Sequence, residues 1–454
     1  MARDAQADDT RRSRWRASAL GIVSIVAATG ALACAIAFVV ISARDSEAAA
    51  PDTLGRPILD IAHADGLQAN LAARVGLDRR LGPVMAQAAA ANMCLVFAQP
   101  GGSVVADHNS AATFVPASTM KIATASAALG VLGPETRFGT EVLRGPDGTI
   151  YLRGGGDPTL SSPEWAAARP DRLSTSIVPL AEVLKSSGAD VSSGIVADAS
   201  WLGGSKYVDG WEQRLIRQQA APPVSALTVD RSFPELAPEA PANADDDPAL
   251  GAAATLARLA GAPGAPVRAG TVPADAVLLG AVESPTVIEI VTDMGKWSDN
   301  LAAEVLVRQI GRAARADAST AAGTAAVKEY LGSIGVDVSE LTVADGSGLH
   351  YANQLSCSVF ADLFEESTEE TWGDALTESL AIGDVDGTLR DRRQPESVRA
   401  KTGTLRDVAT LAGVIAAAEG DMAFAIMMNN MPDDYDARGL QDRLVTELAA
   451  WPAP

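Results

Sequence analysis

Three short polar motifs in this 454-residue sequence contain the residue types that nucleophilic catalysis needs: Ser118-Thr119-Met120-Lys121, Ser298-Asp299-Asn300 and Lys401-Thr402-Gly403. Ser118 and Lys121 are three positions apart, so on a helix they share one face and the amine can reach the hydroxyl. A serine hydroxyl is a weak nucleophile until a neighbouring base accepts its proton. Lysine is a base only when neutral, and burial beside a second cation such as Lys401 lowers its pKa. The motifs therefore predict that Ser118 is the nucleophile and Lys121 the general base.

The position of Ser118 at the start of a predicted helix favours the same chemistry. The Ala-rich segment 119–129 is predicted to be helical. Backbone N–H groups at a helix start point outward and favour negative charge. Such donors suit an oxyanion hole, in which each one contributes about 10²–10³ in rate. The sequence argues against a Ser-His-Asp triad or a histidine-rich metal site, because it contains only three histidines, at positions 63, 108 and 350.

The three motifs each occur once and in this order, and two of the six lysines belong to them. Their combination is typical of β-lactamases and penicillin-binding proteins. The sequence resembles the class C low-molecular-mass penicillin-binding proteins, the D-Ala-D-Ala carboxypeptidase/endopeptidase family, over most of residues 85–450. The stretches that carry this resemblance are residues 116–121, 152–160 with Gly154-Gly155-Gly156-Asp157-Pro158, 298–304, 345–349, 386–389 and 401–405.

The resemblance implies a role for each motif residue. Ser118 would form the acyl-enzyme, Lys121 would be the general base, and Ser298 would relay a proton to the leaving D-Ala. The implied substrate-binding residues are Asn300, Lys401, Thr402, Gly403 and Thr404, with the backbone N–H groups of Ser118 and Thr404 as the oxyanion hole. The implied substrates are peptidoglycan stem peptides, cleaved by carboxypeptidase or endopeptidase action, and β-lactam antibiotics would acylate the serine. No metal or organic cofactor is implied.

Two alternative functions are compatible with the motifs. A β-lactamase shares them but must hydrolyse its penicilloyl ester quickly, and the long segment between Ser118 and Ser298 is unlike compact β-lactamases. A catalytically silent binding or scaffold protein would keep the fold without the reaction. The intact Ser118, Lys121, Ser298 and Lys401 argue against that function.

The order of predicted elements indicates an α+β fold. The resemblance implies a β-lactamase/transpeptidase-like catalytic domain, an antiparallel sheet flanked by helices, with an inserted, mainly β second domain. Strands are predicted at 93–97, 103–106, 149–153, 194–199, 227–229, 277–282, 398–404, 410–416 and 423–428. Helices are predicted at 58–62, 67–75, 252–259, 286–294, 300–313, 320–331 and 436–449.

Changes in composition and in predicted secondary structure along the chain predict its domain boundaries. The N-terminal region is predicted to consist of a cytoplasmic N-terminus at 1–18, a transmembrane anchor or signal segment at 19–41, and a linker with the start of the catalytic domain at 42–84. The remaining chain is predicted to form the first part of the catalytic domain at 85–139, the inserted domain at 140–284 and the second part of the catalytic domain at 285–454. The interval from Ser118 to Ser298 is shorter than in larger members of the family, which predicts a reduced insert. Asp157 either meets the stem peptide or caps a turn.

The N-terminus has the features of a membrane-targeting segment. Five arginines lie within residues 1–16, and residues 19–41 contain no charge. At about 1.5 Å per residue this run spans a bilayer core, and the arginines place the N-terminus in the cytoplasm. A cleaved signal peptide ending near residues 48–50 is the alternative, but the run is longer than a usual signal core. We favour the anchor, and in either case the catalytic region works outside the cytoplasm.

The composition argues against nucleic acid as a partner, and it does not determine whether the cysteines form a disulfide. The formal net charge is -21, whereas proteins that bind nucleic acid need a basic surface to release counterions. Cys34 lies in the apolar N-terminal run. Cys94 and Cys357 could pair in an oxidising compartment, or could be two buried free thiols.

Overall fold

The computed structural model describes residues 61–88, 92–232, 247–418, 420–432 and 436–452. The strands in these ranges are β1 (Asn92–Ala98), β2 (Val104–His108), β3 (Thr113–Phe114), β4 (Gly139–Arg144), β5 (Ile150–Gly154), β6 (Leu160–Ser161), β7 (Thr175–Ser176), β8 (Ile195–Asp198), β9 (Val267–Ala269), β10 (Val277–Glu283), β11 (Leu355–Ser356), β12 (Ala381–Ile382), β13 (Val398–Leu405), β14 (Val408–Ile415) and β15 (Met422–Asn429). The α-helices are α1 (Ile61–Ala88), α2 (Met120–Ala127), α3 (Pro163–Ala168), α4 (Val178–Ser186), α5 (Gln213–Arg217), α6 (Pro248–Leu259), α7 (Val287–Trp297), α8 (Asn300–Arg315), α9 (Thr320–Ser333), α10 (Cys357–Ser367), α11 (Gly373–Glu378) and α12 (Ala437–Ala449).

An antiparallel sheet with the order β12-β13-β14-β15-β1-β2 carries the first and last strands side by side. Alternate residues of β1 face opposite sides of this sheet. Cys94 and Val96 contact one apolar cluster, and Met93 and Leu95 contact another. Because both faces are covered, the strands are nearly continuous apolar runs, and such runs are recognisable in the sequence.

Helices cover both faces of this sheet. On one face, α2, α7, α8, α9 and α10 share a single apolar cluster. Every residue of α2 is buried, as expected for a helix that is largely apolar all around its axis. On the other face, α1 and α12 pack against the sheet. The chemistry-bearing motifs therefore lie at the start of a central helix, in the turn between α7 and α8, and on β13.

A second sheet with the order β10-β4-β5-β8-β9 is formed within residues 139–283. Its pairs are antiparallel from β10 to β5 and parallel from β5 to β9. Helices α4 and α6 bury their apolar residues against it. In the sequence, this sheet lies between α2 and α7, within the segment that was expected to be inserted. The boundaries of a separate domain at 140 and 284 stay a prediction.

Two sequence predictions differ from the structure. Separate short helices were predicted at 58–62 and 67–75. Residues 58–60 lie outside the described residues, and residues 61–88 form the single helix α1. Its Ala73, Leu77, Leu81 and Val84 are buried against the sheet, so tertiary packing stabilises a helix whose own pattern is weak. A strand was predicted at 227–229, but these residues lead directly into a turn in which Asp230, Arg231 and Ser232 all have positive φ angles of 55–61°. Left-handed backbone cannot continue a strand.

A disulfide resolves the question of the two scattered cysteines. Cys94 on β1 is bonded to Cys357 at the start of α10, with the two Cα atoms 6.1 Å apart. Both side chains are fully buried. The bond joins the central sheet to the helical layer across 263 residues of sequence.

The predicted anchor at 19–41 lies outside the described residues. Among the helices that are described, none has both the length and the hydropathy required to cross a bilayer.

Candidate active site

Ser118 lies in a short 3₁₀ turn, Ala117–Thr119, that leads into α2. The preceding residue, Ala117, has a positive φ of 47°, which is uncommon for any residue other than glycine. Two buried hydroxyls hold this turn, because Thr119 Oγ1 and Thr410 Oγ1 both donate to the carbonyl oxygen of Pro116 at 2.6 Å. Strained backbone held by its surroundings is common at functional sites. Here the strain fixes the direction of Ser118.

Lys121 is buried directly behind Ser118. Its Nζ lies 3.0 Å from Ser118 Oγ, 2.7 Å from Asn300 Oδ1 and 2.6 Å from the carbonyl oxygen of Ser347. Burial lowers its pKa from the usual lysine value to about 7, although the charges of Asp345 and Glu304 oppose that shift. A neutral amine keeps two N–H groups for the two carbonyl-type acceptors and can turn its lone pair toward the serine hydroxyl. This is the geometry that a general base requires.

Lys401 on β13 is the second buried lysine. It has no exposed surface, and its Nζ donates to the carbonyl oxygen of Thr402 at 2.7 Å. Burial lowers its pKa well below the usual lysine value, and the positive charge of Lys121 lowers it further. The sequence argument attributed the low pKa of Lys121 to burial beside a second cation, and burial is the largest cause of the lowered pKa for both lysines.

The other predicted residues of β13 lie against the nucleophile turn. A Cβ atom at Gly403 would lie 2.8 Å from the backbone nitrogen of Ser118, so only glycine allows the strand to approach this closely. Thr402 Oγ1 donates to Thr388 Oγ1 at 2.9 Å. Thr404 is exposed and pairs in register with Ala409. The close approach at Gly403 brings the backbone of β13 beside that of Ser118.

The second motif forms the turn between α7 and α8. Ser298 ends α7 in the left-handed conformation, with φ 60° and ψ 42°. Asp299 begins α8, where its Oδ1 accepts from the backbone N–H of Ala302 at 2.9 Å. Asn300 connects the turn to the base, because its Oδ1 accepts from Lys121 while its Nδ2 donates to the carbonyl oxygen of Ala220 at 2.7 Å. Ser298 makes no side-chain hydrogen bond to the described residues, so its position depends on the backbone of this turn.

Comparison with known sequences identifies the family. The sequence profile of the D-Ala-D-Ala carboxypeptidase 3 (S13) family matches residues 83–257 and 242–450. The chain belongs to this family. The D-alanyl-D-alanine carboxypeptidase of Actinomadura sp. (strain R39) is 30% identical to this S13 family member over 428 residues, covering 74% of this chain and 77% of that protein. A carboxypeptidase of Mycobacterium tuberculosis is 30% identical over 349 residues, covering 74% of this chain and 75% of that protein.

Comparison with solved structures supports the fold of this S13 family member. The crystal structure of penicillin binding protein 4 from Haemophilus influenzae matches with a TM-score of 0.67 at 22% identity, covering 81% of this chain and 98% of that chain. At this identity the likeness concerns the fold. The α+β class expected from the sequence is confirmed.

Sequence reasoning missed a carboxyl group behind Lys121 of this S13 family member. Glu304 on α8 is fully buried, and its Oε1 accepts from the backbone N–H groups of Gly346 at 3.1 Å and Ser347 at 2.7 Å. Burial raises its pKa to about 8, and the nearby charge of Asp345 adds to the shift. The glutamate thus holds the loop whose Ser347 carbonyl accepts from Lys121. A glutamate among the mainly apolar residues 301–307 of α8 is the sequence signal that could have identified it.

Asp157 caps a turn in the structure of this S13 family member. Its Oδ1 accepts from the backbone N–H of Thr159 at 2.7 Å and from Thr159 Oγ1 at 2.6 Å. The side chain is buried, and burial raises its pKa. These contacts are those of the turn-capping alternative.

Proposed function

We propose that this S13 family member is a serine-type D-Ala-D-Ala carboxypeptidase that acts on peptidoglycan stem peptides through an acyl-enzyme on Ser118. The observation that carries this proposal is the pair formed by Ser118 and Lys121. The amine lies 3.0 Å from the hydroxyl, and burial brings the pKa of the lysine to about 7. Such a base is substantially neutral at physiological pH, so it can accept the serine proton as the oxygen attacks.

Acylation follows from this pair. Ser118 Oγ attacks the carbonyl carbon between the two D-Ala residues while Lys121 accepts the hydroxyl proton. The negative charge that develops on the carbonyl oxygen is stabilised by the backbone N–H groups of Ser118 and Thr404. Ser298 relays the proton held by Lys121 to the nitrogen of the leaving D-Ala, giving up its own hydroxyl proton as it receives that one. The C–N bond breaks, the acyl ester forms, and Lys121 is neutral again.

Deacylation uses the same groups with water in place of the amine. Lys121 accepts a proton from water, the resulting hydroxide attacks the ester carbonyl, and the proton returns to Ser118 Oγ. The net reaction consumes one water and releases D-Ala and the shortened peptide. Endopeptidase action differs only in the leaving amine, which then belongs to a cross-linked stem peptide. We extend the proposal to that activity.

Recognition of the terminal carboxylate is assigned to Lys401 and Thr402. In the free protein the pKa of Lys401 is lowered by burial and by the charge of Lys121. An incoming carboxylate would favour the charged ammonium and raise that pKa again. A β-lactam presents a similar amide and carboxylate, so we propose that penicillin acylates Ser118 as well.

Covalent labelling tests this function. We expect the full chain to form a stable adduct with a fluorescent penicillin and to release D-Ala from a D-Ala-D-Ala peptide. The Ser118→Ala variant should do neither, because its side chain has no oxygen to attack. Rapid loss of the penicillin without a stable adduct would instead support a β-lactamase. An untouched penicillin and no release of D-Ala would support a silent scaffold.

We also propose that residues 19–41 anchor the catalytic region to the outer side of the cytoplasmic membrane, since this run has no charge and follows an Arg-rich end. The full chain is expected to sediment with membranes and to resist extraction by alkaline carbonate. A chain lacking residues 1–41 should remain in the supernatant. Recovery of the full-length gene product as a soluble exported protein that begins near residue 51 would contradict the anchor and support a cleaved signal.

A further inference from the structure

Two arginines and two aspartates form a largely buried ionic cluster beside the second motif. We call it the arginine clamp: Arg172, Arg231, Asp293 and Asp299. The arginines come from the segment between the nucleophile and the second motif. The aspartates lie on either side of Ser298, one in the last turns of α7 and the other at the start of α8.

Both arginines bridge both aspartates. Arg172 Nη2 lies 2.9 Å from Asp293 Oδ2 and 2.9 Å from Asp299 Oδ2. Arg231 Nη2 lies 3.0 Å from Asp293 Oδ2, and its other terminal nitrogen is paired with Asp299. The clamp also includes the backbone of Leu173, whose N–H donates to Asp293 and whose carbonyl oxygen accepts from Arg231. Each bridge fixes the end of α7 relative to the start of α8.

Ser298 is the residue that separates these two helix ends. A serine has no intrinsic preference for the left-handed conformation that it adopts here, so its surroundings must hold it. Asp299 connects the clamp to the base, since its Oδ1 caps α8 and its Oδ2 meets the arginines. The next residue is Asn300, which accepts from Lys121.

Trp297, which precedes Ser298 in the sequence, also lies close to two cations. The Trp297 ring has Arg172 at 5.7 Å and Arg390 at 5.6 Å from its centroid. Guanidinium groups at this distance from an indole attract it. Arg172 therefore contacts the residues on both sides of Ser298.

We propose that Arg172 and Arg231 are positioning residues that hold the Ser298 hydroxyl where it can deliver a proton to the leaving nitrogen. The inference rests on the proposed function, in which Ser298 is the proton relay. It gives the segment between the first two motifs a part in the chemistry in addition to any part in binding.

The effect of displacing Ser298 on the cleavage rate should depend on the leaving group. An amine is a poor leaving group unless its nitrogen is protonated as the C–N bond breaks, whereas a thiolate leaves without a proton. A misplaced Ser298 should therefore impair the cleavage of an amide much more than the cleavage of a thioester with the same acyl group. A general loss of folding would impair both to the same extent.

The test compares kcat/KM for a D-Ala-D-Ala peptide and for the matched thioester, using the full chain. Arg172→Met is the main variant, because Arg172 is the more exposed arginine and Arg231 remains to balance the aspartates. We expect the amide-to-thioester ratio to fall about 10–100-fold, the range that follows from a small displacement of a catalytic group. Arg172→Lys should restore part of the ratio, since a lysine keeps the charge but lacks the planar fork. Asp293→Asn carries the same prediction and retains the shape of the side chain.

Two controls make the result decisive. Ser298→Ala should lower the ratio at least as much as Arg172→Met. Arg392→Met removes a buried arginine paired with Asp442 at 2.7 Å, against α12, and should leave the ratio unchanged. Equal loss on both substrates in the clamp variants, or an unchanged ratio in Ser298→Ala, would overturn the proposal. Failure of the proposed function would be distinguished by the parent itself, as an absence of Ser118-dependent release of D-Ala.

Discussion

Replacing Lys121 with methionine is expected to slow the acylation of Ser118 by about 10²–10⁴-fold, the range that a positioned general base contributes. The variant removes the amine that lies 3.0 Å from the serine hydroxyl and leaves an apolar side chain of similar length in a buried site. The hydroxyl then has no neighbouring base to accept its proton. The measurement is the second-order rate constant for formation of the penicillin adduct.

The chain offers a matched control for this substitution. Lys328 on α9 is a half-buried lysine whose Nζ, like that of Lys121, donates to a backbone carbonyl oxygen, that of Leu341, at 2.6 Å. Lys328→Met should change the acylation rate little, because that residue lies outside the site. A Lys121→Met variant that is acylated as fast as the parent would remove Lys121 from the mechanism.

The pH dependence of the acylation rate tests the role of Lys121 independently. Below a pH of about 7 Lys121 is an ammonium and cannot accept a proton, and above it the lysine is neutral. The acylation rate of the parent should therefore rise with pH through about 7. In Lys121→Met this rise should be absent, because the group that titrates is gone. Stopped-flow acylation across a series of buffers at constant ionic strength measures both profiles.

Removing the disulfide is expected to lower the free energy of unfolding by about 2–5 kcal/mol. Cys94 and Cys357 close a loop that spans 263 residues, so the bond restricts a large part of the unfolded chain. The variant that carries Cys94→Ala and Cys357→Ala removes the crosslink with little change in buried volume. Denaturant unfolding of the parent and of the variant measures the difference.

Chemical reduction serves as the control for this second prediction. Reducing the parent with dithiothreitol should move its unfolding midpoint toward that of the double variant. The same treatment should leave the midpoint of the double variant unchanged. A parent whose disulfide has been reduced, as shown by two titratable thiols, and whose midpoint is nevertheless unchanged would show that the crosslink contributes no stability.

Much of the catalytic fold was predictable because its signals are local. Strands such as β14 and β15 are buried along their whole length and almost entirely apolar, since both faces of their sheet are covered. Helix α7 begins with a capping box formed by Thr286 and Glu289, which lie three residues apart in the sequence. The meeting of Ser118 with Lys121 follows from helical spacing alone.

The parts that sequence reasoning missed depend on contacts between distant residues. The pairing of Cys94 with Cys357 was left open, because two cysteines carry no pattern that identifies a partner. The arginine clamp joins residues up to 127 positions apart, and neither arginine belongs to a recognisable motif. The low pKa of Lys121 was expected from burial beside a second cation, but only the folded structure shows that its burial is complete.

The side-by-side placement of β1 and β15 has a consequence for when the protein becomes active. The nucleophile lies in the first third of the described chain, yet its sheet is completed only by β13, β14 and β15. A chain whose synthesis has not reached β13 therefore lacks Lys401 and the strand against which Ser118 packs. Pairing between such distant segments is also a slow step in folding. The site around Ser118 is therefore complete only after the last strands have been synthesised and have paired with β1.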